Sequence, residues 1–418
     1  MNKRKPILVV VALGGIVVLL LSLLPMVFGR FGAFGPQAKS TQQEDKPAES
    51  PNSTPARPSQ IIFDVAAWYN SRNEQPDTHG VLIESEDGST IYASHNPNVT
   101  FNPASLIKLS TTLASLKNLG AEYRFQTHVL MDGYVDKSGT LQGSLNVQGS
   151  DPTFGDAGAN MIAIELKKHG IKKVSKTVSV TPDFCFNFTD VPEEAADRLI
   201  KVLKIGNPKP VVSETSTGEN LLTVNSNPLK DILLYMNAHS SNFIAERLGA
   251  MIGGPEGLQK FLVDQVGLPS DQVTIARTSG REHNRMTPRG LLAVIRGLMD
   301  EAKKQGLQPS DVMAVASDDS GTLRRRLAGT GLEGSVVAKT GTLTHEVDGG
   351  MASLAGIVYT KNAGPVLFAI LDQGNRIAEN RQLEDQLLSE VVRKSAVPEA
   401  VGTPVKRQML PAGNLSAE

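Results

Sequence analysis

The chain has 418 residues, enough for one large core or two to three domains, and its 40% apolar and 20% charged content is ordinary for a globular protein. A formal net charge of −1 argues against nucleic acid as the main partner, which would need a basic excess. One cysteine, Cys185, excludes an internal disulfide and a thiolate metal cluster; the histidines (His79, His95, His128, His169, His239, His283, His345) lack metal-ligand spacing, so no metal or other cofactor is expected.

Lys3, Arg4 and Lys5 precede residues 7–28, a run of 22 without a charge. As a helix it would reach about 33 Å, against roughly 30 Å of bilayer hydrocarbon. A secretory signal has a shorter apolar core and a small-x-small cleavage site, for which Ala33-Phe34-Gly35 is a poor candidate. Residues 1–29 therefore read as a retained membrane anchor whose basic flank stays in the cytoplasm, sending the rest across the membrane. The globular part then lies where ATP and nicotinamide cofactors are scarce; cleavage would release it instead. Residues 30–59 combine prolines and polar side chains with almost nothing apolar, so they read as a disordered linker.

Folding is expected from about residue 60. A helix is predicted over 61–72, then strands over 79–85 and 90–93 joined by the turn Glu86-Asp87-Gly88. Asn102 and Pro103 suit a helix start, and Leu106, Ile107, Leu109, Leu113 and Leu116 follow at helical spacing. Residues 123–215 hold short alternating runs split by glycine, with a helix over 159–169, and read as an inserted β-rich subdomain. Helices are predicted over 229–237, 243–252, 287–302 and 379–394, and strands over 335–342, 351–359 and 366–371. The expected class is α+β. One antiparallel sheet of about five strands carries helices on both faces, with an all-helical lobe and the small β-rich insertion beside it. Residues 60–122 and 216–397 form the main domain, and 398–418 a frayed tail.

Three short motifs carry chemistry. Ser105 and Lys108 are three apart, so hydroxyl and amine share one face of a buried helix. A buried lysine beside a serine is costly as structure alone, and it suits an amine that takes a proton from a nucleophilic hydroxyl. Ser240-Ser241-Asn242 places a second hydroxyl and an amide in a break between helices; alone it could be ordinary capping. Lys339-Thr340-Gly341-Thr342 sits on a strand, where an interior glycine marks the close approach of another backbone. A cation flanked by two hydroxyls suits a carboxylate. Ser-x-x-Lys by itself is frequent by chance, but the three in this order form a known set.

Further stretches extend the pattern: Gly149-Ser150-Asp151-Pro152-Thr153, Asn237-Ala238-His239 before the serine pair, Phe243-Ile244-Ala245-Glu246 after Asn242, Ser279-Gly280 with Asn284-Arg285-Met286-Thr287-Pro288, and Gly321-Thr322-Leu323-Arg324-Arg325-Arg326. On these residues the chain resembles the class C low-molecular-mass penicillin-binding proteins, the D-alanyl-D-alanine carboxypeptidase/endopeptidase family, from about residue 61 to 390. The resemblance implies a penicillin-binding/β-lactamase-like transpeptidase fold and a bacterial, extracytoplasmic protein acting on peptidoglycan stem peptides, with β-lactams as inhibitors. It implies Ser105 as nucleophile, Lys108 as base, Ser240 as proton relay and Asn242 as a substrate-amide ligand. Lys339, Thr340 and Thr342 would hold a terminal carboxylate beside Gly341, with the oxyanion between the N–H groups of Ser105 and Thr342. A working Lys108 needs a pKa lowered by about 2–3 units, through burial and Lys339. Only 131 residues lie between Lys108 and Ser240, shorter than this family often shows, so the insertion looks trimmed.

A β-lactamase shares the three elements but needs a separate water-activating glutamate, for which Glu282 is the nearest candidate. A non-enzymatic wall-peptide or β-lactam sensor is a second rival. Residues 329–334 match a dinucleotide fingerprint by letter, yet precede a strand, so the match is accidental. Arg324-Arg325-Arg326 is better read as a solvated helix face or local carboxylate pairing than as an anion site.

Overall fold

A computed structural model of the chain describes residues 63–401, 410 and 415–418. The expected anchor (1–29) and linker (30–59) lie outside the described residues. Among those described, no helix is long and apolar enough to cross a membrane.

The main sheet has six antiparallel strands, in the order Ala314–Val315, Val336–Leu343, Met351–Val358, Val366–Gln373, His79–Ser85, Ile91–His95. The expected count was about five. The extra strand is the two-residue Ala314–Val315, too short to leave a period-two signal. It pairs with Val337 and Ala338, so the other half of its neighbour, from Lys339 to Leu343, has no strand on that side among the described residues.

Both faces of the sheet are covered, so its strands read as unbroken apolar runs. Along Val366–Gln373 the side chains still alternate. Leu367, Ala369 and Leu371 enter a core shared with the helices Ile107–Leu119, Leu229–His239, Asn242–Met251, Gly254–Asp264 and Pro288–Lys304. Val366, Phe368 and Ile370 enter a second core beneath Val65–Asn70 and the C-terminal helix Ile377–Ser395. The same parity on Val336–Leu343 turns Val337 toward the helical lobe and Val336 and Ala338 toward the C-terminal helix. Lys339 and Gly341 thus share the lobe side, and Thr340 and Thr342 the other.

Between Ile107–Leu119 and Leu229–His239 the chain builds six strands of a second, seven-stranded sheet with its own core. Three of its strands, Thr140–Gly149, Thr177–Val180 and Lys209–Val212, run parallel, which demands crossover connections. The helices Asp156–Lys168 and Pro192–Leu203 supply them. The second helix is absent from the sequence expectation, although Ala195, Ala196, Leu199, Ile200 and Leu203 are buried at helical spacing. Described parts of the tail expected to fray from residue 398 are also drawn in. The N–H of Glu399 donates to the Tyr359 carbonyl at 2.8 Å, and Ser416–Ala417 pairs with Val224 and Asn225 of the second sheet.

Candidate active site

Ser105 lies in a single 3-10 turn, Ala104–Leu106, that leads into Ile107–Leu119. Asn102 does not cap the α-helix; its Oδ1 accepts from the Ala104 N–H at 3.1 Å, and its Nδ2 donates to the Glu282 carbonyl at 2.7 Å and to Asp348 Oδ2 at 2.6 Å. Ala104, fully buried, is held at φ +51°, a strained conformation that persists only where surrounding contacts fix it. Two glycines make those contacts possible. A Cβ on Gly341 would fall 2.8 Å from the Pro103 carbonyl, and one on Gly280 (φ +86°) 2.0 Å from the Ala104 carbonyl. The close approach expected at Gly341 is therefore to the turn that presents Ser105.

Lys108, one turn on, is wholly buried. Its Nζ donates to Ser105 Oγ at 2.9 Å, Asn242 Oδ1 at 2.7 Å and the Ser279 carbonyl at 2.5 Å. Burial lowers its pKa to about 7; Glu246 opposes that shift and Arg281 adds to it. A shift in that direction frees unprotonated amine near neutral pH, as a base requires.

Ser240 ends Leu229–His239 in a left-handed conformation (φ +53°), and Ser241 caps the next helix, whose first residue is Asn242. This tight break brings the Asn242 amide to Lys108 and the Ser240 hydroxyl to Lys339. Lys339, also wholly buried, donates from Nζ to Ser240 Oγ at 3.0 Å and to the Thr340 carbonyl at 2.6 Å. Burial first, and then Lys108, holds Lys339 well below the ordinary lysine range. Lys339 was expected to press on Lys108. The repulsion between these two buried amines shows at Lys339, and Arg281 adds to the fall at Lys108.

Ser105, Lys108, Ser240, Asn242, Lys339 and Gly341 thus meet at one place. Thr340 is nearly buried on the far side of the strand, and Thr342 Oγ1 accepts from Arg381 Nη2 at 2.7 Å. Arg381, on the C-terminal helix, carries no sequence signal, since an exposed arginine on an amphipathic helix is ordinary. Glu246 was also passed over, although it lies four residues after Asn242 and so on the same helix face.

Two other expectations can be placed. The Glu282 carboxylate is half exposed and paired with Arg277 Nε at 2.8 Å, so it does not serve as a water-activating group beside Ser105. In the glycine-rich stretch, the N–H groups of Gly329 and Gly331 are taken by the Glu333 carboxylate. Arg326 pairs with Glu384 at 2.7 Å and Asp385 at 2.6 Å. Among the described residues no cluster of acids, histidines and cysteine could hold a metal ion.

The model of the D-Ala-D-Ala carboxypeptidase 3 (S13) family matches residues 65–186 and 205–393. No curated protein sequence matches the chain. Solved structures share its fold at low identity. The predatory endopeptidase Bd0816 of Bdellovibrio bacteriovorus superposes with a TM-score of 0.68 at 21% identity, covering 81% of this chain and 99% of its own. Penicillin G-acylated Bd3459, from the same organism, gives 0.65 at 22%, covering 81% and 99%. Penicillin-binding protein 4 (dacB) of Haemophilus influenzae gives 0.60 at 20%, covering 75% and 96%.

Proposed function

Because this chain belongs to the D-Ala-D-Ala carboxypeptidase 3 (S13) family, we propose that it is a serine peptidase in which Ser105 attacks the carbonyl between two D-alanines of a peptidoglycan stem peptide. The observation that carries this reading is the contact of a wholly buried Lys108 amine, its pKa lowered by that burial, with Ser105 Oγ at 2.9 Å.

As the Oγ–carbonyl bond forms, the Ser105 proton passes to Lys108 Nζ. The oxyanion lies between the N–H groups of Ser105 and Thr342, each worth about 3–4 kcal/mol in comparable sites. Ser240, held by Lys339, relays a proton to the departing D-alanine nitrogen as the C–N bond breaks. Water then hydrolyses the Ser105 ester and frees the shortened peptide. The substrate backbone pairs along the strand edge from Lys339 to Leu343, and Asn242 takes a side-chain amide of the peptide. Lys339, and Thr342 with Arg381, supply the donors that favour a terminal carboxylate; Thr340, nearly buried on the far side of the strand, does not join them. A β-lactam presents a carbonyl and carboxylate of similar disposition and acylates the same serine. Cross-link cleavage fits the same chemistry, because a D-alanyl carbonyl is again the target.

The charge-free run at residues 7–28 behind Lys3, Arg4 and Lys5 supports placing the enzyme on the outer face of the cytoplasmic membrane, tethered by that segment.

The test is digestion of purified cross-linked and uncross-linked muropeptides by the full chain in detergent. Release of D-alanine, lost in Ser105→Ala, is expected. Fast hydrolysis of a chromogenic β-lactam without D-alanine release would make the protein a β-lactamase, and stoichiometric penicillin binding without any turnover would make it a sensor.

A further inference from the structure

The segment Thr278-Ser279-Gly280 is wedged between the nucleophile turn and the helix Asn242–Met251, and it does more than fill space. The Ser279 carbonyl takes the shortest of the three Lys108 hydrogen bonds, at 2.5 Å. Gly280 lies against the Ala104 carbonyl and the Ser105 Cα. The segment therefore sets both the direction of the amine and the seat of the nucleophile, and something must hold it in place.

Glu246 does so. One oxygen, Oε1, accepts from the Ser279 N–H at 3.2 Å, and the other, Oε2, accepts from Thr278 Oγ1 at 2.9 Å. The other bonds to Thr278 are a 3.2 Å donation from its hydroxyl to the Ala245 carbonyl and the 2.8 Å donation of Thr111 Oγ1 to its carbonyl. Gly249, one turn after Ala245, allows this packing, since a Cβ there would sit 2.1 Å from Thr278 Oγ1. The charged groups that act on the amine or share its pocket are Glu246 itself, Arg281 and Lys339. Of these Glu246 alone is negative.

We propose that Glu246 is a positioning residue for acylation, gripping the Thr278-Ser279 peptide so that the Ser279 carbonyl aims the Lys108 amine at Ser105, and acting as the counter-charge of that amine. Both of its oxygens are turned onto the segment it holds, which is the geometry of a clamp. This inference rests on the peptidase reading for its kinetic readout only.

Two variants separate the parts. Glu246→Gln keeps an acceptor for the Ser279 N–H and removes the charge. Taking the negative group away favours neutral Lys108, so the acid limb of the penicillin acylation rate should move down by about one pH unit. Glu246→Ala also releases the segment, and the plateau acylation rate should fall about 10- to 100-fold, as expected for a misplaced reacting group. Thermal melting shows that each variant is folded, and heteronuclear NMR of the lysine side chain follows the Lys108 titration without any catalytic step. An unshifted titration and acid limb in Glu246→Gln overturns the counter-charge role. A plateau rate unchanged in folded Glu246→Ala overturns the positioning role. Normal acylation with an unshifted acid limb and a trapped acyl-enzyme in both variants overturns both roles, by making Glu246 the deacylating base. If wild type takes no penicillin, the peptidase reading fails, and the Lys108 titration still decides the counter-charge role of Glu246.

Discussion

Replacing Lys108 with methionine should cost the protein its activity and make it more stable, by an amount that depends on pH. Lys108 is wholly buried, and its pKa falls from 10.5 to about 7. A gap of roughly 3–4 units corresponds to about 5 kcal/mol held against the folded state wherever the amine is charged. The sign follows from proton binding. Between about pH 7 and 10.5 the unfolded chain holds the Lys108 proton and the folded chain does not, so this group makes stability rise with pH across that window, and below it the full penalty applies. Methionine fills a similar volume without charge, but the Ser279 carbonyl loses its partner, at about 1–3 kcal/mol. The net gain for Lys108→Met is then about 2–4 kcal/mol near pH 6, and about 3 kcal/mol of it should be gone near pH 9. Urea unfolding of both proteins across that range measures it. A stability difference that stays constant with pH would mean that Lys108 titrates alike in folded and unfolded chains, and the base assignment would lose its support.

The remaining expectations concern the strand and its neighbours. Gly341→Ala places a Cβ 2.2 Å from Ser353 Oγ and 2.8 Å from the Pro103 carbonyl, so it should cost about 1–3 kcal/mol in denaturant unfolding and slow acylation by shifting the Ser105 turn. Near-normal acylation in this variant would show that the turn does not depend on that approach. Arg381→Ala removes the cation on Thr342, and kcat/KM for peptides ending in a carboxylate should fall about 10- to 100-fold, while the corresponding C-terminal amides lose little. Equal losses for both would assign Arg381 to the scaffold.

Much of this site was legible because its chemistry is bound to short local spacings. Ser105 and Lys108 share a helix face at any i, i+3 separation, and a glycine within Val336–Leu343 announces a close backbone whatever that backbone is. What could not be read was the third dimension. Arg381 meets Thr342 from a helix 39 residues away, and an exposed arginine carries no mark of its target. Glu246 follows Asn242 within one motif stretch, yet its partners, Thr278 and Ser279, lie more than 30 residues on. The electrostatics was half legible for a related reason. The two lysines could be expected to repel, but Arg281, which adds to the fall at Lys108, lies far along the chain and carries no mark of its target. In the fold, Ala314–Val315 was too short to signal, while the parallel strands of the second sheet were hidden because a parallel partner is set by distant crossovers.

The most direct test of the account is intact-mass and peptide mapping of the full chain after exposure to a penicillin. A single adduct of the unfragmented drug on the peptide holding Ser105, absent in Ser105→Ala, is the predicted result. An adduct on another residue, or one that persists in Ser105→Ala, would contradict it.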